Sequence, residues 1–296
     1  MNKVLAILAI GSLPVLASAW IADKKEGTVQ FPVFLNHFYL TLDHETYSAI
    51  QSNEFLRREF AVTEERTTVR KDRSYTGLYF YGTNTYFEFF DADKEKRRRV
   101  GDSAIAFGVE EPGASGKLEA ELGSHSVTIT RQLGNMDIPW FLQTMPKGFS
   151  LESAVSTWVM EYDPRFLLQW HGDEGGGSGI TRKEILERYK AVLKRGSAQT
   201  CLSDVIGITL GVDKQVSGQM TELCKAFGYD LRAKGDMTIL LGPEFELRLV
   251  PDSDSARGVR QALLRVNRTP IGHTQVQCGS KSLLKIRPDG TATWAF

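Results

Sequence analysis

Two stretches decide the fold, Leu35-Asn36-His37-Phe38-Tyr39-Leu40 and Thr85-Tyr86-Phe87-Glu88-Phe89-Phe90. Both are apolar and aromatic along most of their length, as strands buried on both faces must be. Each carries one potential metal ligand in its middle. Residues two apart on a strand face the same way, so His37 is in phase with Leu35 and Tyr39, and Glu88 with Tyr86 and Phe90. A carboxylate on an aromatic face is costly unless a metal, an arginine or a hydrogen-bond network offsets its lost hydration. An imidazole and a carboxylate pointing from two strands into one cavity would make an open metal site.

Working outward, residues 33–42 read as a strand, and Asp43 caps a helix reaching about Phe60, with Tyr47, Ile50, Phe55 and Leu56 on its apolar face. Strands near 67–70, 75–81 and 85–90 follow, the last two joined by the hairpin turn Gly82-Thr83-Asn84. The same order recurs: a strand at 104–109, a short helix at 114–122, then strands at 127–131, 140–144 and 157–162. After the glycine-rich stretch from Gly175 to Gly179 comes a helix at 182–194, with Ile185, Leu186, Tyr189 and Leu193 sharing a face. The pattern then starts again with a strand at 205–210, a helix at 216–227 ended by Gly228, and strands at 237–241 and 245–250. Four short strands close the chain without a helix. The fold expected is α+β, with repeated βαβββ units forming cup-shaped mixed sheets in two paired modules. The expected divisions are a signal peptide at 1–19, a first paired module at 30–172, a linker and helix at 173–199, and a second, degenerate module at 200–296.

Met1-Asn2-Lys3, an apolar run from Val4 to Leu16 and the small residues Ala17-Ser18-Ala19 make a secretory leader, with the mature chain starting near Trp20. The run is short for a membrane span, and the chain is expected to be periplasmic or secreted. Acidic and basic residues balance at 36 each, so no long-range field favours nucleic acid. The run Lys94-Glu95-Lys96-Arg97-Arg98-Arg99 reads as a solvated connector. Cys201, Cys224 and Cys278 fit no zinc or dithiol motif, and in an oxidising compartment Cys201 with Cys278 is the preferred disulfide.

The segment Thr157-Trp158-Val159-Met160-Glu161-Tyr162 places Glu161 within its strand much as Glu88 sits in the first unit. The strand that should supply its partner has Ser103-Ala104-Ile105, with no imidazole. The candidate ligand set is therefore His37, Glu88 and Glu161. Three protein ligands and an open position suit catalytic zinc, and a mixed nitrogen and oxygen set also suits iron, manganese or nickel. Tyr79, Tyr81 and Trp140 are the candidate substrate-binding aromatics, although such residues are more often core. The later module offers only Asp204 and Glu246 at comparable places and reads as structural. His44, His125, His171 and His273 stand in helix-start or turn-like contexts. No Gly-x-Ser-x-Gly elbow and no phosphate-binding glycine loop occurs.

With a βαβββ repeat, a first-strand histidine and a fourth-strand glutamate, the chain resembles the vicinal oxygen chelate superfamily of glyoxalases, ring-cleaving dioxygenases, epimerases and metal-free drug-binding proteins. The stretch Leu35-Asn36-His37 through Tyr75-Thr76-Gly77-Leu78-Tyr79 also looks like an uncharacterised bacterial family placed near the glyoxalase-like proteins. The resemblance implies a cup in which His37, Glu88 and Glu161 hold a divalent metal that polarises a substrate with adjacent oxygens, with Glu88 and Glu161 as the catalytic carboxylates, as a lyase, isomerase or dioxygenase would. Ala104 stands where that pattern expects another ligand. The alternatives are a metal-free protein that holds a small molecule in the same aromatic cup, and an interaction module whose cups are filled by their own side chains.

Overall fold

The computed structural model describes residues 28–71, 73–95, 98–170, 177–193, 200–253, 257–270 and 272–296. The leader, Lys96, Arg97, His171 and Gly175-Gly176 lie outside the described residues.

Alternating apolar strands with polar turns give two eight-stranded mixed sheets. The first is built from two consecutive units. One contains β1 (Phe34–Leu42), α1 (His44–Ser52), β2 (Val62–Val69), β3 (Ser74–Tyr81) and β4 (Tyr86–Asp91). The other contains β5 (Ser103–Val109), α2 (Ala114–Leu122), β6 (His125–Leu133), β7 (Met136–Met145) and β8 (Val155–Tyr162). Strand order is β2-β3-β4-β1-β5-β8-β7-β6, with β1 parallel to β4, β5 parallel to β8, and β1 antiparallel to β5 at the centre. The sheet curls until its edge strands β2 and β6 approach each other, which makes a deep cup.

Two short helices follow, α3 (Arg165–Gln169) and α4 (Arg182–Val192). The second sheet repeats the plan with β9 (Leu202–Val212), α5 (Lys214–Ala226), β10 (Asp230–Lys234), β11 (Met237–Leu241) and β12 (Glu246–Pro251). Its last unit is β13 (Gly258–Val266), β14 (Gln275–Cys278), β15 (Ser282–Ile286) and β16 (Thr291–Ala295), without a helix. The order is β10-β11-β12-β9-β13-β16-β15-β14. The fold is the repeated, cup-forming α+β arrangement expected from the sequence.

Among the elements that differ, two have a plain local cause. The helix expected from Asp43 to Phe60 stops at Ser52, after Asp43 has capped it by accepting from the Thr46 backbone N–H. A π-helical turn, Leu56–Phe60, follows, and the Asn53 side chain accepts from the Leu56 N–H at its start. Strand β10 gave no signal because all five of its residues are exposed, so no alternation marks it.

The outer faces of the two sheets and helices α1, α2 and α5 share one core. Trp294 of β16 sits at its centre, edge-on to Phe60, Phe80, Phe87 and Phe89 at 5.4–5.7 Å and stacked on Phe296. Its indole N–H donates to Ser282 Oγ at 2.8 Å. Asp204 fastens the sheets together: it accepts from the backbone N–H groups of Asn84 and Thr85, the Thr85 hydroxyl and the Asn84 amide. The three cysteines are buried free thiols, against the disulfide expected between Cys201 and Cys278. Cys201 precedes β9 and Cys278 ends β14, and three strands lie between them in the sheet. At about 4.8 Å per strand, that spacing exceeds the reach of a disulfide.

The inner face of the first sheet has a separate aromatic core, into which α4 inserts Ile185, Leu186 and Tyr189. Thr181 and Glu184 form a capping box that starts this helix. Arg182 ties its beginning to the Leu35 carbonyl, Glu110 and Glu244, and Lys190 ties its end to the Gly82 carbonyl. The helix expected within a linker is thus a plug in the cup.

Candidate functional site

Strand register defines which positions of the cup correspond. In the first unit Leu42 pairs with Asp91, Tyr39 with Glu88 and His37 with Tyr86. In the second, Val109 pairs with Glu161 and Ala106 with Trp158. Both sets are parallel pairs between the first and fourth strands of a unit, each running into a helix start. Counting back from those pairs, His37 matches Ala104, Glu88 matches Trp158, and Asp91 matches Glu161. The cup floor is therefore built from His37 and Glu88 on one side and Ala104 and Trp158 on the other.

The structure brings His37 and Glu88 together and leaves Glu161 apart. His37 Nε2 is 3.8 Å from Glu88 Oε1, and both side chains are buried. Glu161 lies between Met160 and Tyr162, which belong to the inner core, so it points to the opposite face. There it accepts from the backbone N–H groups of Gly113 (2.6 Å) and Ser115 (2.7 Å) and closes the start of α2. A carboxylate at a helix N-terminus answers unpaired donors and the positive end of the dipole. The expected set of His37, Glu88 and Glu161 is not assembled in one place, and Glu161 lies outside the cup as ligand or catalyst.

Electrostatics separate the two floor residues from an ordinary ion pair. Burial holds the His37 imidazole down to about 3, so it stays neutral. Its ring stacks on Tyr86 at 4.4 Å and meets Trp158 edge-on at 5.6 Å. Its Nδ1 is 2.9 Å from Asn36 Oδ1 and donates to it, which leaves the Nε2 lone pair facing Glu88. Burial raises the Glu88 carboxyl to about 7, against the pull of Arg66 and Arg98 and of hydrogen bonds from Tyr79 and Tyr86. Near pH 6 the contact is between two neutral groups, and Glu88 is poised to give or take a proton at neutral pH.

Above the floor opens a cleft lined by Tyr39, Tyr75, Tyr86, Phe90, Trp140 and Trp158, with Gln143 and the arginines Arg70, Arg73 and Arg98. Its free interior is about 50 Å3, room for about four water molecules. Of the three candidate aromatics, Trp140 lines it. Tyr79 and Tyr81 do not: they lie beneath, where Arg66 covers the Tyr79 ring at 4.1 Å and donates to Tyr81 and Glu64 at 2.9 and 2.7 Å. Arg131 serves the same layer, donating to Tyr189 Oη at 2.8 Å and facing the rings of Trp140 and Trp170. Arg98, read from the sequence as part of a solvated run, instead turns its guanidinium over Tyr39 (4.1 Å) and Phe90 (4.5 Å). Arginine in a cation–π stack keeps its charge while burying its plane, and no charge pattern along a sequence records that. Trp158 was readable as inward, because it shares one strand phase with Met160 and Tyr162, bulky residues on either side of Glu161.

A metal ion does not fit this floor. His37 and Glu88 supply two donors where an open catalytic zinc site takes three, and Ala104 and Trp158 hold the matching positions. Arg70, Arg73 and Arg98 line the same cleft and oppose a dication. A different group, His44, Asp91 and Asp93, has ligand atoms within 4.8 Å of one another. There His44 Nδ1 already contacts Asp91 Oδ2 at 2.8 Å, the Asp93 N–H donates to Asp91 Oδ1, and the Lys94 ammonium lies 3.9 Å from Asp91. His273 stacks on Phe55 at 4.4 Å, and His125 begins β6 at the surface.

The register also settles the second module. Pro251 pairs with Val212, so Arg248 stands where Glu88 does, and Gly207 where His37 does. Glu246, expected at a comparable place, is two residues out and pairs with Arg248. Among the described residues, no helix is long and apolar enough to cross a membrane.

No curated protein matches the chain. Among solved structures, a hypothetical protein from Staphylococcus aureus is similar at 12% identity and a TM-score of 0.44, over 75% of this chain and 87% of that one. A fusion of a xylose isomerase-like TIM barrel with a 4-hydroxyphenylpyruvate dioxygenase is similar at 11% identity and a TM-score of 0.43, over 79% of this chain and 36% of that one. Likenesses at this level say nothing of activity. A family profile matches residues 35–296, and on that match the chain belongs to the family of unknown function DUF5829.

Proposed function

We propose that the protein is a metal-free, small-molecule-binding relative of the vicinal oxygen chelate proteins, using the cup of its first sheet. One observation carries this reading: Trp158 and Ala104 occupy the positions that mirror Glu88 and His37. Half of a metal site is thereby replaced by an aromatic wall. What remains is a small cleft with a neutral imidazole and a carboxyl that changes charge near neutrality. Such a floor recognises a polar group by hydrogen bonding and can exchange a proton with it. The mature chain is proposed to act in the periplasm or outside the cell, on the composition of residues 1–19. An exported protein whose N-terminus is Trp20 supports that placement; one that retains Met1 counts against it.

The test is metal content by mass spectrometry of protein purified without chelator, together with thermal unfolding before and after EDTA. The expected result is no stoichiometric divalent metal and no change in Tm. One zinc, iron, manganese or nickel per chain, lost in His37→Ala and Glu88→Gln, overturns the reading. It would restore a metal-dependent lyase, isomerase or dioxygenase held by those two side chains.

A further inference from the structure

The cleft of the first sheet is bordered by a polar side chain that the surrounding fold leaves unused. Gln143, on β7, is only 4% exposed and lines the cleft, yet among the described residues its amide makes no hydrogen bond. Its amide atoms are open to the interior, whereas the indole nitrogens of Trp140 and Trp158 are sealed from it. A buried amide without a partner costs stability unless something in the cavity answers it. Arg98, half-buried at the same cleft, lies over the rings of Tyr39 and Phe90. Among the described residues no carboxylate forms an ion pair with it. Two unmatched donor groups thus border one small space.

Charge, geometry and size narrow what can answer them. An organic cation is opposed by Arg70, Arg73 and Arg98, which line the cleft together. An anion is repelled by the face of an aromatic ring, but the Arg98 guanidinium covers Tyr39 and Phe90 and meets the ion in their place. Its fork of N–H groups matches two oxygens in one plane, and the Gln143 NH2 group adds neutral donors. At pH 6 Glu88 keeps its proton and sets no negative charge on the floor against an anion. The free interior of about 50 Å3 is a third of the roughly 150 Å3 that holds one benzene ring, so a ring does not fit. Resting on the metal-free reading above, we propose that the cleft takes a planar oxyanion of about three or four non-hydrogen atoms, of the formate, nitrate or hydrogencarbonate kind, held between Arg98 and Gln143.

The experiment uses the full chain at pH 6 and constant ionic strength, in chloride-free buffer with EDTA. Nuclear magnetic resonance follows the Gln143 side-chain NH2 signal, assigned through its own backbone, and calorimetric titration gives affinities. The probes are formate, nitrate, formamide, chloride and benzoate. Formate and nitrate are expected to bind and to shift the Gln143 signal saturably. Binding of either one supports the proposal, and which of the two binds tells a carboxylate from an inorganic oxyanion. Formamide, a neutral match for formate in size and plane, should bind at least tenfold more weakly, as should chloride and benzoate. Arg98→Gln and Gln143→Met should each weaken formate or nitrate by about tenfold, the loss expected when a hydrogen bond to a charged group is removed. Far-ultraviolet circular dichroism checks the folding of both, and Arg98→Gln at its half-buried position carries the test if Gln143→Met does not fold. Equal binding of formamide overturns the anion assignment and leaves metal-free binding standing. Equal binding of chloride overturns the planar part, and equal binding of benzoate overturns the size limit. Binding that appears only with added divalent metal in place of EDTA overturns both this proposal and the reading beneath it. Anion binding that leaves the Gln143 signal unmoved, or is unaffected by both substitutions, overturns the location. No binding of formate or nitrate overturns the proposal outright.

Discussion

Replacing Glu88 with Gln removes a buried carboxyl whose protonation is coupled to folding. In the folded chain the group is raised from its ordinary 4.5 to about 7, chiefly by burial. Below pH 4.5 it is protonated in both states and contributes nothing to the pH dependence. Between 4.5 and about 7 the unfolded carboxyl has ionised while the folded one keeps its proton. The folded state then binds more protons, and stability falls as pH rises. At about 1.36 kcal/mol per pH unit, the full loss above pH 7 is about 3 kcal/mol. His37 works in the opposite direction: its pKa is lowered from 6.5 to about 3, so stability is lost as pH falls through that window. From pH 4.5 to 6.5 the two slopes oppose each other, and the native protein is expected to be nearly flat there with respect to this pair. Glu88→Gln removes one slope and exposes the other. Measured by urea unfolding at fixed ionic strength, the stability of the variant relative to the native chain should rise by about 3 kcal/mol from pH 4.5 to pH 8, with unchanged m values. A difference that stays constant across that range would refute the reasoning, because Glu88 would then ionise as an exposed carboxyl does. A variant that becomes relatively less stable as pH rises would show that the arginines, or a cation, hold the carboxylate charged.

Three further outcomes follow from packing and capping. Trp294→Ala removes the ring on which Phe60, Phe80, Phe87 and Phe89 converge, and should cost about 3–5 kcal/mol in chemical unfolding, with both sheets losing stability together. Asp204→Ala strands the backbone donors of Asn84 and Thr85 and should cost about 2–4 kcal/mol, with faster amide exchange at those two residues than elsewhere in the turn. Glu161→Ala removes the carboxylate at the start of α2. It should lower stability by about 1–2 kcal/mol and speed amide exchange at Gly113 and Ser115, whose N–H groups it accepts from, more than at His37 and Glu88. Faster exchange at His37 and Glu88 instead would return Glu161 to the cup.

Much of the architecture was legible because strand alternation and helix caps are local. Asp43 and Thr181 are N-caps whose partners lie three residues away, and the aromatic strands announce themselves by composition. The site was half legible. His37 and Glu88 each stand alone as polar residues in apolar strands, and only a cavity or a mutual contact explains both. Glu161 was misread because a strand has two faces, and the residue type does not say which face is inward. The phase of its neighbours does say so: Trp158, Met160 and Tyr162 take the inner face and leave Glu161 on the outer one. The arginines were illegible for a different reason. Arg66 and Arg98 sit inside only because tyrosine and phenylalanine rings from other strands cover their planes. That arrangement depends on tertiary packing and leaves no periodic trace. The insertion of α4 was legible as an apolar face, but its docking surface forms only after eight strands have curled.

The second sheet explains why one cup can carry a site alone. Gly207, Arg248 and Thr209 stand where the first sheet has His37, Glu88 and Tyr39, so its inner face keeps the backbone plan and none of the floor chemistry. Its outer face contributes Ile208, Leu210, Leu247, Leu249 and Trp294 to the core shared with the first sheet. Phe38, Phe87 and Phe89, which alternate with His37, Glu88 and Phe90 along β1 and β4, are the residues packed against that core. Fixing one face of a strand fixes the other, because adjacent side chains share a backbone. The second module therefore positions His37 and Glu88 from behind, and loss of its packing should loosen the cleft before any cleft residue is changed.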